Sequence, residues 1–111
     1  MQSSIANKSY AKKKLRLYCK ALKIRDIPKL VFTKKEVLDL GYDFDRMRFK
    51  GVYGSYIPNE NIMYICLRKN KTDGELIDTI VHELVHKITN LKLKHGKKFN
   101  NMVKVIAPLV H

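Results

Sequence analysis

Residues 79–90 read TIVHELVHKITN. His82 and His86 stand four positions apart, with Glu83 directly after the first. On an α-helix, at about 3.6 residues per turn, His86 falls about 40° around the axis from His82. Two imidazoles placed this way project side by side and can share one ion, at roughly 2.0–2.1 Å from each nitrogen. Glu83 is one residue along, so its carboxylate points beside the ion and not into its ligand set. There it can hold a water and accept its proton. The bland alternative is a solvent-facing helix that happens to carry two histidines.

A catalytic zinc needs a third protein ligand and an open fourth position. The chain has 4 His, so the choice falls between His95 and His111. His111 is the last residue of the sequence, where fraying is expected. Asn90 to Lys94 is long enough to reverse the chain and return His95 to the ion, and Gly96 permits a close backbone approach. The expectation is one Zn2+ per chain on His82, His86 and His95, with Glu83 as general base.

The helix that must carry these residues has a start signal. Thr72 and Glu75 form a Thr-x-x-Glu capping pattern, which predicts a helix over about 73–89, with Asn90 able to close it. Turned about its axis, this helix sets His82, His86, Glu75, Asp78, Thr79, Glu83 and Thr89 on one side. Ile77, Ile80, Val81, Leu84, Val85, Ile88 and Leu91 lie on the other. Asp78 is placed to accept the outer N–H of a ligand imidazole, or to be simply a solvated charge.

Before this helix, Val52–Ile57 and Ile62–Leu67 are rich in β-formers and are separated by Pro58, Asn59, Glu60 and Asn61, a hairpin pattern. The second run is apolar on both faces, as in an interior strand. Gly54 marks a bulge or a close backbone approach. Tyr53, Tyr56 and Tyr64 are candidates for a hydroxyl near a developing oxyanion, although aromatic packing on the sheet is the simpler account of each and none is assigned the role. Strand 52–57 also offers an edge to an extended substrate.

The flanking segments complete an α+β reading. Residues of about 4–24 form an amphipathic helix on Ala11, Leu15, Tyr18 and Leu22. Lys29–Thr33 reads as a short strand. Thr33 and Glu36 cap a helix over Lys34–Leu40 that stops at Gly41. Tyr42–Lys50 reads as loop. A last helix over about 96–107 buries Phe99, Met102, Val103 and Ile106. The whole is a single domain, 1–111, with a small antiparallel or mixed sheet packed on the central helix.

With 111 residues and 45% apolar content the chain can build one modest core. Its 23 Lys+Arg against 10 Asp+Glu give a net charge of +13, a potential that attracts nucleic acid, an anionic membrane surface or acidic protein. Lys12, Arg16, Lys20 and Lys23 share a face of the first helix, and Lys13 and Lys14 adjoin it. These six are the candidate nucleic-acid contacts, against the plain alternative of a solvated face. Cys19 and Cys66 read as buried free thiols. The longest apolar run, Ile62–Leu67, is too short to span a bilayer. The N-terminal segment has no secretory pattern, so an intracellular chain is expected.

HELVH, a short gap, then HGKKF and an apolar helix resembles the SprT-like (Spartan-type) metallopeptidases. His82, Glu83, His86, His95, Gly96 and Phe99 match their His-Glu-x-x-His and His-Gly-x-x-Phe pattern over about residues 51–107. The resemblance implies a minimal zincin-like fold, three zinc-binding histidines, a glutamate base and a protein or peptide substrate near or on DNA. Many such proteins carry a C-terminal cysteine zinc ribbon that is not seen here, and the spacer between His86 and His95 is short. The resemblance therefore speaks more for peptidase chemistry than for crosslink repair. The expected partners are a protein or peptide substrate and DNA, with no membrane, for a monomeric chain. Two other readings stand beside it: a nucleic-acid-binding module without catalysis, and a metallopeptidase acting on a regulatory or virion protein with no DNA link.

Overall fold

The computed structural model describes residues 8–42, 52–89 and 96–110. These form α1 (Lys8–Ala21), β1 (Lys29–Val31), α2 (Lys34–Asp39), β2 (Gly54–Ile57), β3 (Ile62–Ile65), α3 (Asp73–Ile88) and α4 (Lys97–Ile106), followed by a short 3-10 turn at Ala107–Leu109. The first turn expected before Lys8, the loop beyond Tyr42, and Asn90, Leu91, His95 and His111 lie outside the described residues.

Both expected caps form. At α3 the Thr72 hydroxyl accepts from the Glu75 amide at 3.1 Å. The Glu75 carboxylate in turn accepts from the amides of Thr72 and Lys71 at 3.1 and 3.0 Å. At α2 Thr33 accepts from the Glu36 amide at 3.1 Å, and Glu36 accepts from the Phe32 amide at 3.2 Å. That bond takes Phe32 out of the sheet, so β1 stops at Val31, short of the expected Thr33.

The helix ends are also chemical. After α2, Gly41 adopts φ +91°, and the amides of Gly41 and Tyr42 reach back to the Leu38 and Val37 carbonyls. After α1, Lys23 takes the same left-handed role, with φ 59°. Its amide and that of Ile24 bond to the Lys20 and Cys19 carbonyls at 3.1 and 2.8 Å. This reversal ends α1 at Ala21, earlier than the expected Ile24 and well before Pro28.

The sheet order is β1-β3-β2. β1 runs parallel to β3, with Leu30 opposite Met63, and β2 runs antiparallel to it, with Tyr56 opposite Met63. β3 is therefore the interior strand, and all four of its residues are buried. Its alternation divides the core. Met63 and Ile65 join Leu30, Tyr56, α1, α3 and Phe99 in the main cluster. Ile62, Tyr64 and Cys66 join Val31, Ile57 and Val37 of α2 in a second one. Both cysteines are free and buried.

α3 is the best-covered helix. Leu76, Ile80, Val81, Leu84 and Val85 are at most 1% exposed, each worth about 1.5–3 kcal/mol of burial. Among the described residues no helix is long and apolar enough to cross a membrane.

Candidate functional site

His82 and His86 occupy successive turns of α3, with ring centres 4.9 Å apart and planes 78° to one another. Phe99 of α4 is buried and packs against both, at 4.6 and 4.8 Å. Two imidazoles on one tetrahedral zinc, each nitrogen at about 2.0–2.1 Å, set their ring centres roughly 5 Å apart. The spacing of the ring centres matches that figure. His95, the expected third ligand, lies outside the described residues, which hold His82 and His86 of the expected set.

Glu83 lies on the polar side of the wheel with the histidines, and it is only 5% exposed. Burial pushes its carboxyl up to about 8, because a desolvated carboxylate is disfavoured relative to the neutral acid. Thr79 on the same side is also buried, while Ile88, assigned to the apolar side, is 41% exposed in the last turn. The α3 surface is sorted by what packs on it, and β2 packs over the side that holds Thr79 and Glu83.

A cavity of about 340 Å³ opens at this junction, lined by Tyr53, Gly54, Asp78, Thr79, His82 and Glu83. Gly54 makes its floor possible. A Cβ there would sit 2.8 Å from both the Thr79 methyl and the Tyr64 carbonyl oxygen. The close approach read from the sequence is thus real, and it is an approach to the helix that carries the histidines.

Asn70, fully buried, fastens the same junction. Its amide donates to the Cys66 carbonyl at 2.7 Å and the Tyr53 carbonyl at 3.1 Å. Its side-chain oxygen accepts from the Thr79 hydroxyl. One side chain thereby ties the start of β2, the end of β3 and the turn of α3 before Glu83. Sequence reasoning missed Asn70, since a lone Asn in RKNKT reads as loop.

A second clamp holds the far end of α3. The Lys87 ammonium, with its side chain 12% exposed, reaches Asp26 at 3.1 Å and the Asn61 side-chain oxygen at 2.9 Å. Tyr56 donates to that oxygen at 2.7 Å, and the Asn61 amide donates to Asp26 at 2.8 Å. Asn61 holds a left-handed φ of 54° in the hairpin turn. This network orients the turn that presents His86, and no spacing rule links its four members.

Of the three hairpin tyrosines, Tyr53 lines the cavity and is 50% exposed, with the Lys69 ammonium 5.6 Å from its ring centre. Tyr56 belongs to the Lys87 network. Tyr64 is buried in the second cluster, where burial pushes its phenol up to about 12. Asp78 is exposed at the cavity wall.

The six basic residues of α1 and the turn that follows it do not behave alike. Lys12, Lys13, Arg16, Lys20 and Lys23 are exposed, as expected for a charged face. Lys14 is 7% exposed, with its ammonium 5.5 Å from the Tyr10 ring, so it stands apart from that face.

Comparison of the chain with models of protein families, with curated proteins and with solved structures gives no match.

Proposed function

We propose that this chain is a zinc-dependent peptidase of the SprT-like, zincin type, with His82, His86 and His95 as the zinc ligands and Glu83 as the base. The observation that carries the reading is the pair of imidazoles 4.9 Å apart, with the buried Glu83 carboxylate lining one cavity together with His82. The His-Gly-x-x-Phe match supports it from the sequence, since its Phe99 packs on both rings.

Zinc supplies the Lewis acidity that makes water a nucleophile near neutral pH. Glu83 takes the proton released as water attacks a peptide carbonyl, and later delivers it to the leaving amine. Its buried setting raises its basicity toward that task. Phe99 packs on both imidazoles, and the Lys87 network fastens the last turn of the helix that carries them. β2, an edge strand, offers its backbone to an extended chain whose scissile bond then lies by the cavity. Of the three candidate tyrosines, Tyr53 is the one that lines this cavity.

The test is metal content together with hydrolysis. Purified protein should hold one zinc per chain, and His82→Ala, His86→Ala or His95→Ala should lose it. Glu83→Gln should retain zinc while hydrolysis of an unfolded protein substrate falls by about 10²–10⁴-fold, the range for a general base. Normal cleavage by Glu83→Gln, or wild-type protein that takes up no zinc, would overturn the assignment.

A further inference from the structure

The sheet has a second edge, and a second hollow lies along it. A groove of about 470 Å³ runs between α1, β1 and α2. Its floor is aliphatic: Leu15, Ile27, Pro28, Leu30, Val31 and Leu40. Ile27 and Leu40 remain 44% and 40% exposed. Cations stand at its rim: Lys12, Arg16 and Lys29 are all exposed. Among the described residues none of these three side chains makes an ion pair. The two carboxylates of the groove are already engaged, Glu36 with Lys8 at 3.7 Å and Asp39 with Lys35 at 3.4 Å.

We infer that this groove docks an acidic segment of a partner protein, anchored by an aliphatic side chain. Charge complementarity sets the sign of the partner: unpaired cations around an apolar floor favour carboxylates flanking a leucine or isoleucine. A second copy of the chain is a poor occupant, because each copy carries +13. Single-stranded nucleic acid is a poor one as well. It binds through aromatic platforms that stack its bases, and the groove lining contains no aromatic residue. β1 pairs only with β3 among the described residues, so its outer edge can accept the backbone of an extended peptide while the anchor enters the floor. The groove lies at the β1 edge and the histidine cavity at the β2 edge, so docking and the proposed hydrolysis occupy separate parts of the chain.

The experiment uses fluorescence anisotropy with the full chain and a short fluorescein-labelled peptide alternating glutamate and leucine. Controls are the glutamine–leucine peptide, a leucine-free glutamate peptide and a single-stranded oligonucleotide. The glutamate–leucine peptide should bind in the micromolar range, about tenfold or more tighter than either peptide control. Lys12→Glu with Arg16→Glu should weaken it by about tenfold or more, and Leu40→Ser should weaken it too. Lys20→Glu with Lys23→Glu makes the same charge change at the C-terminal end of α1, away from the groove, and should alter affinity by no more than about twofold. Circular dichroism checks that each variant is folded. Four results would overturn the inference: no peptide binding, equal binding of the leucine-free peptide, equal loss in the two charge-reversed pairs, or displacement of the peptide by the oligonucleotide at the same rim.

Discussion

The two edges of this small sheet solve opposite problems. At the β2 edge a carboxylate is taken out of water beside two imidazoles, and the surrounding structure is fastened by a fully buried amide and by a glycine in contact with the helix. At the β1 edge the charges stay in solvent and only aliphatic carbon is enclosed. Reactive groups need a fixed geometry, because small displacements cost rate. Docking groups need mainly the right sign and an apolar foothold. A polar residue in the first region should therefore matter to stability far more than one in the second.

The comparison is sharpest at Glu83. With a chelator present, its raised carboxyl binds a proton in the folded chain at pH values where the unfolded chain has released it. The stabilising share of this group is complete below about 4.5, its ordinary value, and is lost as pH rises toward about 8. Chelated wild type should lose stability relative to Glu83→Gln between pH 5 and 8, by roughly 2–4 kcal/mol. Parallel thermal or urea curves at the two pH values test this. A constant difference would mean that Glu83 is not desolvated.

Next in size is Asn70. Asn70→Leu leaves the Tyr53 and Cys66 carbonyls and the Thr79 hydroxyl without this partner, and should cost about 2–3 kcal/mol in urea unfolding. Gly54→Ala follows. Its new Cβ meets a backbone carbonyl that cannot step aside, for an expected loss of about 1–3 kcal/mol in the free energy of urea unfolding. Smallest is the other edge. Lys12→Glu with Arg16→Glu should change stability by less than about 0.5 kcal/mol per site, as exposed substitutions do. If the rim reversals cost as much as Asn70→Leu, the contrast between the edges fails.

What was readable in the sequence is local. The Thr-x-x-Glu caps, the four-residue spacing of the histidines and the doubly apolar β3 each depend on neighbours within a turn or a strand, and each is found. Gly54 was legible as a close approach, though not what it approaches. The missing parts depend on distant chain. Burial of Glu83 follows from β2 lying over α3, and the Lys87 network joins Asp26, Tyr56 and Asn61, which no periodicity connects. Lys14 reads as one more surface cation until Tyr10 and the core claim its stem. The end of α1 was misread because Lys23 does what a glycine usually does.

The mixed pairing of the sheet also orders its assembly. Ile57 meets Ile62 across the tight Pro58–Asn61 turn, whereas Lys29 meets Ile62 only after α2 and all that follows it have been looped out. Closing the longer loop costs more chain entropy, so the hairpin can form early and β1 must join late. By the same reasoning β1 is the strand that detaches most readily in the native protein. Its amides should exchange with deuterium ahead of those of β3, and an occupant of the β1 edge would slow them.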